Sequence, residues 1–133
     1  MQSNQEILDL INHATGTTAY HRYSAIAHFP VITDGVRALA EAAGCYWLLD
    51  VIGSYQYNSK LDKAFQVWTL EVNTEKSSGI VRGLNDTTLI ITQEIPYTDF
   101  PLNKIKLFLI DGVILLPSEY SISTKYCRNS RNA

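Results

Sequence analysis

The chain has 133 residues, 46 % of them apolar and 18 % charged, a composition that fits one globular domain and excludes a disordered segment. Formal charge is −2, and residues 1–122 hold eight Lys/Arg against thirteen Asp/Glu, a balance of −5. An acidic body of this kind disfavours nucleic acid as a partner, because such affinity comes from clustered Lys and Arg, and no apolar run approaches the ~18 residues that cross a bilayer.

The chain opens on Met1-Gln2-Ser3-Asn4-Gln5-Glu6, which lacks a basic region ahead of an apolar stretch. A cytoplasmic protein is expected, with Cys45 and Cys127 as reduced thiols. Ser3 and Glu6 have capping-box spacing, and Ile7, Leu10 and Ile11 follow at helical spacing. A short helix is predicted over 4–14, stopped near Gly16. Residues 17–32 read as loop with a strand or helical turn, since Tyr20-His21-Arg22-Tyr23 has no clear period and Pro30 breaks a helix.

Thr33 or Asp34 suits an N-cap. Val36, Leu39, Ala40 and Ala43 then share one helical face, Gly44 interrupts, and Cys45 to Ile52 is apolar nearly all round. The spacing predicts a buried helical layer over 34–56, broken at Gly44. From Ala64 the period changes to two. Strands are predicted around Trp68–Val72, Gly79–Arg82, Leu89–Ile95, Ile105–Leu109 and Val113–Leu116, the last two joined by Asp111-Gly112, a strong hairpin signal. Helices followed by strands on short loops give an α+β fold, with N-terminal helices packed on one face of an antiparallel sheet of about five strands. Residues 1–122 form the expected domain. Ser123 to Ala133, with Lys125, Arg128 and Arg131 and no acid, reads as a flexible basic tail.

No motif completes a catalytic or metal constellation. His13, His21 and His28 are eight and seven residues apart, which is not ligand spacing, and there is no nucleophile elbow or phosphate loop. No cofactor is expected. Cys45 reads as a small core residue. Asp50 stands inside the most apolar stretch, where a buried carboxylate needs a partner or a proton. It is read either as a structural anchor bonded by the Tyr20–Tyr23 segment or a neighbouring turn, or as an acid/base group in a cleft. Trp47, three residues before it, is expected to pack under the sheet, so that its truncation costs about 3–5 kcal/mol. Two proline-flanked loops, Tyr97-Thr98-Asp99-Phe100-Pro101 and Pro117-Ser118-Glu119-Tyr120, read equally as binding loops and as turn chemistry with an aromatic plug.

The segments Thr33-Asp34-Gly35-Val36, Ala43 to Asp50, Phe65-Gln66-Val67-Trp68, Tyr97 to Leu102 and Leu115 to Tyr120, in that order, resemble the domain-of-unknown-function 6876 family from about Glu6 to Tyr120. The resemblance implies a short bacterial protein of the kind associated with plasmids and phages. It supplies no activity. One departure is Ser54-Tyr55-Gln56, where the family is expected to carry His in the middle.

Two function classes follow. The leading one is a non-enzymatic protein-binding accessory protein of a mobile element, acting on a host protein or on its own copies as a homodimer; an inhibitor of a host defence system is one concrete form. Its contacts would draw on Tyr20, His21, Arg22, Asp50, Tyr97, Asp99, Glu119 and Tyr120. The alternative is a small enzyme or nucleotide-ligand binder whose cleft gathers Tyr20, His21, Arg22, Asp50, Asp99 and Glu119. The two diverge on whether Asp50 and Arg22 meet at the mouth of a pocket.

Overall fold

The computed structural model describes residues 4–13, 19–24, 26 and 29–119; Tyr120, Cys127 and the basic tail lie outside them. The elements in chain order are α1 (Asn4–His13), β1 (His21–Arg22), β2 (Val31–Ile32), α2 (Asp34–Ala43), α3 (Tyr46–Ser54), a 3₁₀ turn (Tyr55–Tyr57), β3 (Gln66–Asn73), β4 (Ser78–Asn85), β5 (Thr88–Ile95), β6 (Lys104–Ile110) and β7 (Val113–Leu115). The fold is α+β, with one seven-stranded sheet in the order β1-β2-β7-β6-β3-β4-β5. The strand count exceeds the expected five because β1 and β2 are two residues each, too short to show a period. β2 pairs with β7 in parallel, and the other pairings are antiparallel.

The helical layer follows its local chemistry. Thr33 caps α2, its Oγ1 accepting from the Val36 N–H at 3.2 Å. Gly44 ends the helix at φ 64°, a conformation in which a Cβ is costly. Its N–H and that of Cys45 both reach back to the Ala40 carbonyl, and α3 starts after this break. At the Asp111-Gly112 turn both φ values are positive, 50° and 82°, as a type I′ hairpin requires.

Register assigns the faces. Trp68 lies opposite Gly83 and Leu107, Leu70 opposite Val81 and Ile105, and Leu109 opposite Gln66 and Ile114. Apart from the glycine and the glutamine, these are core side chains, buried with Val36, Leu39, Leu48, Leu49 and Ile52 of α2 and α3. The opposite face carries exposed Glu71, Lys104 and Lys106, which are register partners or neighbours across β3 and β6.

Two contacts fix this layering. Trp68 lies flat over Gly83, where a Cβ would come 2.7 Å from the ring. Its indole N–H donates to Gln66 Oε1 at 2.9 Å. Gln66 and Gln56 exchange two further hydrogen bonds of 3.0 Å each. This buried polar group is well supplied with partners, which is the condition for tolerating it in a core. Trp47 is only partly buried against the core. The tryptophan expected under the sheet is therefore Trp68, and the truncation cost anticipated for Trp47 belongs there.

Candidate functional site

Strand β1 is the terminal strand of the sheet. Its register places His21 opposite Ile32, which in turn lies opposite Ile114, so His21 belongs to the row that faces the helices. There it meets the first turn of α2. His21 Nε2 lies 2.6 Å from Asp34 Oδ1, and Arg37 Nη1, one turn along α2, lies 3.3 Å from His21 Nδ1. A carboxylate can only accept and a guanidinium can only donate. The neutral ring therefore carries its hydrogen on Nε2, donating to Asp34, while Nδ1 accepts from Arg37. Arg37 Nε also reaches Glu41 Oε1 at 3.4 Å, and the Tyr46 hydroxyl donates to the same oxygen at 3.5 Å. The series Asp34–His21–Arg37–Glu41–Tyr46 thus links β1, α2 and the start of α3.

All of these but Asp34 wall an open cleft of about 630 Å³, lined by Tyr20, His21, Arg22, Tyr23, Ile32, Arg37, Glu41 and Tyr46. Tyr20 is 62 % exposed and Tyr46 37 % exposed. The Tyr46 phenol is held above its ordinary range by partial desolvation and by the Glu41 charge, with Arg37 opposing. Tyr23 anchors the floor, its hydroxyl donating to the Leu49 carbonyl at 2.7 Å. Burial raises its pKa strongly, and the Asp50 charge adds to the effect. A second cleft of about 320 Å³ shares Arg22 as a wall and adds Phe29, Pro30, Lys63 and Gly112.

The sequence-derived candidates divide here. Tyr20, His21 and Arg22 do meet in one cleft. Asp50 does not join them: it is exposed on α3 and does not line the cleft. Within the Tyr20–Tyr23 segment expected to bond it, the Tyr23 hydroxyl donates to the Leu49 carbonyl. This corrects the reading of a buried Asp50. Its apolar neighbours Leu48, Leu49 and Ile52 turn inward, and helical periodicity turns Asp50 out.

Glu119 is buried and apart from the cleft. Its Oε1 accepts from Thr33 Oγ1 at 2.8 Å and from the Leu116 N–H at 2.9 Å, tying the α2 cap to the segment after β7. Tyr97 and Asp99 are exposed in the β5–β6 connection. Around them Thr98 Oγ1 accepts from the Phe100 N–H at 3.1 Å and Phe100 is buried. Tyr120 lies outside the described residues.

Sequence reasoning missed Arg37, Glu41 and Tyr46, and saw Asp34 only as a cap. The available signal was Arg37 and Glu41 at i, i+4 on α2. Among the described residues no group of three or more His, Cys, Asp or Glu side chains could hold a metal ion. Among the described residues no helix is long and apolar enough to cross a membrane. Cys45 is buried, and burial pushes its thiol up to about 12, the opposite of a reactive thiolate.

A family model described as a family of unknown function, DUF6876, matches residues 5–120. Comparison with curated proteins and with solved structures gives no match.

Proposed function

The chain belongs to the family of unknown function DUF6876, and we propose that it is a non-enzymatic protein-binding accessory protein whose contact surface is the cleft beside β1. The observation that carries this reading is the pair of exposed tyrosines, Tyr20 and Tyr46, set around Arg22 and Arg37 in one open cleft. Tyrosine and arginine dominate the energetics of protein interfaces. A phenol offers apolar area at low entropic cost, and a guanidinium offers directed donors. The mobile-element setting, and with it a cytoplasmic host protein or a second copy of the chain as partner, rests on the family resemblance. Inhibition of a host defence system is the concrete form we favour.

The test is quantitative capture from a bacterial lysate with three baits: the wild type, Tyr20→Ala and Tyr97→Ala. One protein should be retained by the wild type and by Tyr97→Ala and lost with Tyr20→Ala. Equal retention by all three baits would place the contact elsewhere.

One observation favours the second reading, a small enzyme or nucleotide-ligand binder: His21, in the cleft wall, is paired with Asp34 at 2.6 Å. Such a pair orients an imidazole for acid/base work. Here, however, the far nitrogen faces Arg37 rather than a nucleophile. A nucleotide that raises Tm in the wild type and not in His21→Ala would favour this reading over the first.

A further inference from the structure

We infer that the sheet face turned away from the helices is a contact surface between two copies of this chain. Of the two partners named above, the second copy belongs on this face, which leaves the β1 cleft to a host protein. Apolar patterning is the first argument. A sheet with one solvated face ordinarily turns polar residues outward. Here Leu115, Phe108, Val67, Leu84 and Leu89 are successive register partners across β7, β6, β3, β4 and β5. They alternate with the core row and so lie on the face away from Trp68 and the helices. Leu89 is 52 % exposed and the other four are half-buried; Phe108 packs beside Phe65, with ring centroids 5.6 Å apart. Ile110 and Val113, themselves register partners, widen the band by a row. A contiguous apolar patch of this kind marks an interface.

Charge is the second argument. Lys104, Glu71, Ile80 and Glu94 form a parallel row of register partners on the same face. Glu71 is held by Arg82 at 2.8 Å. Lys104 and Glu94, at the two ends of the row, form no ion pair among the described residues. The row is therefore basic at β6, neutral in the middle and acidic at β5. A twofold axis parallel to the strands, between β3 and β4, turns this pattern onto itself. Each Lys104 then meets the partner's Glu94, and the two apolar rows lie on each other. Lys106 falls on the partner's Thr92, beside the same carboxylate. An axis across the strands would instead set the lysines on the apolar row, and one along β3 would set Lys106 on the partner's Arg82. Aligned sheets pack face to face in this way at about 30°. Five strands about 4.8 Å apart, with outward residues about 7 Å apart along each, present roughly 500 Å² per copy. The total of about 1,000 Å² reaches the size of a specific interface.

The test is sedimentation equilibrium of the full chain at rising concentration. The wild type and Tyr20→Ala should pass from monomer to dimer together. Leu89→Glu, at an exposed position of the apolar row, should stay monomeric. Lys104→Glu and Glu94→Lys should each weaken the dimer about tenfold, and the two changes in one chain should restore it. Within a chain β6 and β5 are three strand spacings apart, about 14 Å, so rescue can arise only between copies. A monomeric wild type, a Leu89→Glu variant that dimerises like the wild type, or a charge exchange without rescue would overturn the inference. Dimerisation lost with Tyr20→Ala and kept by Leu89→Glu would move the second copy to the cleft. A monomeric wild type whose Tyr20 is still needed to capture another protein would remove this face and leave the cleft standing.

Discussion

His21 on the terminal strand and Asp34 in the first turn of α2 meet at 2.6 Å, and through this contact the edge of the sheet is fastened to the helical layer. Both side chains are partly exposed, 24 % and 39 %, so water screens the pair. His21→Ala should lower global stability by only about 0.5–1 kcal/mol. The local effect should be larger: amide exchange at Tyr20 to Tyr23 should accelerate while exchange in β3 and β6 is unchanged. Asp34→Asn keeps an acceptor in place and should cost less. Equal acceleration across the sheet would show that the pair supports the whole fold.

The tight contact between Trp68 and Gly83 sets a second expectation. Trp68→Ala should cost about 3–5 kcal/mol, and Trp47→Ala, at a partly buried site, clearly less. Gly83→Ala drives a methyl to 2.7 Å from the ring and should cost about 1–3 kcal/mol by overpacking. Denaturant titration of the three variants checks the order. A Trp47→Ala variant less stable than Trp68→Ala would reverse the assignment of the core tryptophan.

The Gln56–Gln66 pair should show strong coupling. Gln56→Met leaves Gln66 with the Trp68 N–H on its Oε1 and the Asp62 carbonyl on its Nε2, whereas Gln66→Met takes the partner from Gln56 Oε1 and from the Trp68 N–H, at about 1–3 kcal/mol per orphaned group. Gln56→Met and Gln66→Met together should therefore cost less than the two single losses added. Additive losses in a double-mutant cycle would mean that the two amides act independently.

Burial raises two acidic groups in the same direction. The Cys45 thiol moves from 9.0 to about 12, and the Tyr23 phenol rises above its ordinary 10.0. A folded-state pKa above the unfolded one makes a contribution that is intact below the unfolded value and drains away as pH rises toward the folded one. Stability should hold up to about pH 9 and then fall toward pH 12. The fall should be shallower in Cys45→Ala and in Tyr23→Phe, each compared with its own stability at neutral pH. An unchanged alkaline slope in both variants would assign the loss to other groups.

What the sequence conveyed follows from the range of the interactions involved. The break at Gly44 and the Asp111-Gly112 hairpin are local, set by single residues with positive φ, and both were legible. So were β3 to β7, where the inward row from Trp68 to Ile114 has a period of two. β1 and β2 were not, because a two-residue strand has no period and β2 is made by a parallel pairing with β7, some eighty residues away. The same distance hid Thr33–Glu119, which turned a candidate binding carboxylate into a buried clamp. Asp50 misled for another reason. Apolar sequence neighbours do not bury a residue whose helical angle points out. Of the cleft, Tyr20, His21 and Arg22 were visible as a polar cluster, whereas Arg37, Glu41 and Tyr46 enter only when α2 and α3 are folded beside β1.

The proposal that the cleft beside β1 is the contact surface is tested most directly by site-specific photo-crosslinking in a bacterial host, with a crosslinking amino acid replacing Tyr20 or Tyr97 in turn. Both side chains are more than half exposed, so exposure alone does not separate them. A discrete adduct from position 20, lost on adding Arg22→Glu and absent from position 97, is the predicted result. Adducts from position 97 with none from position 20 would contradict the account.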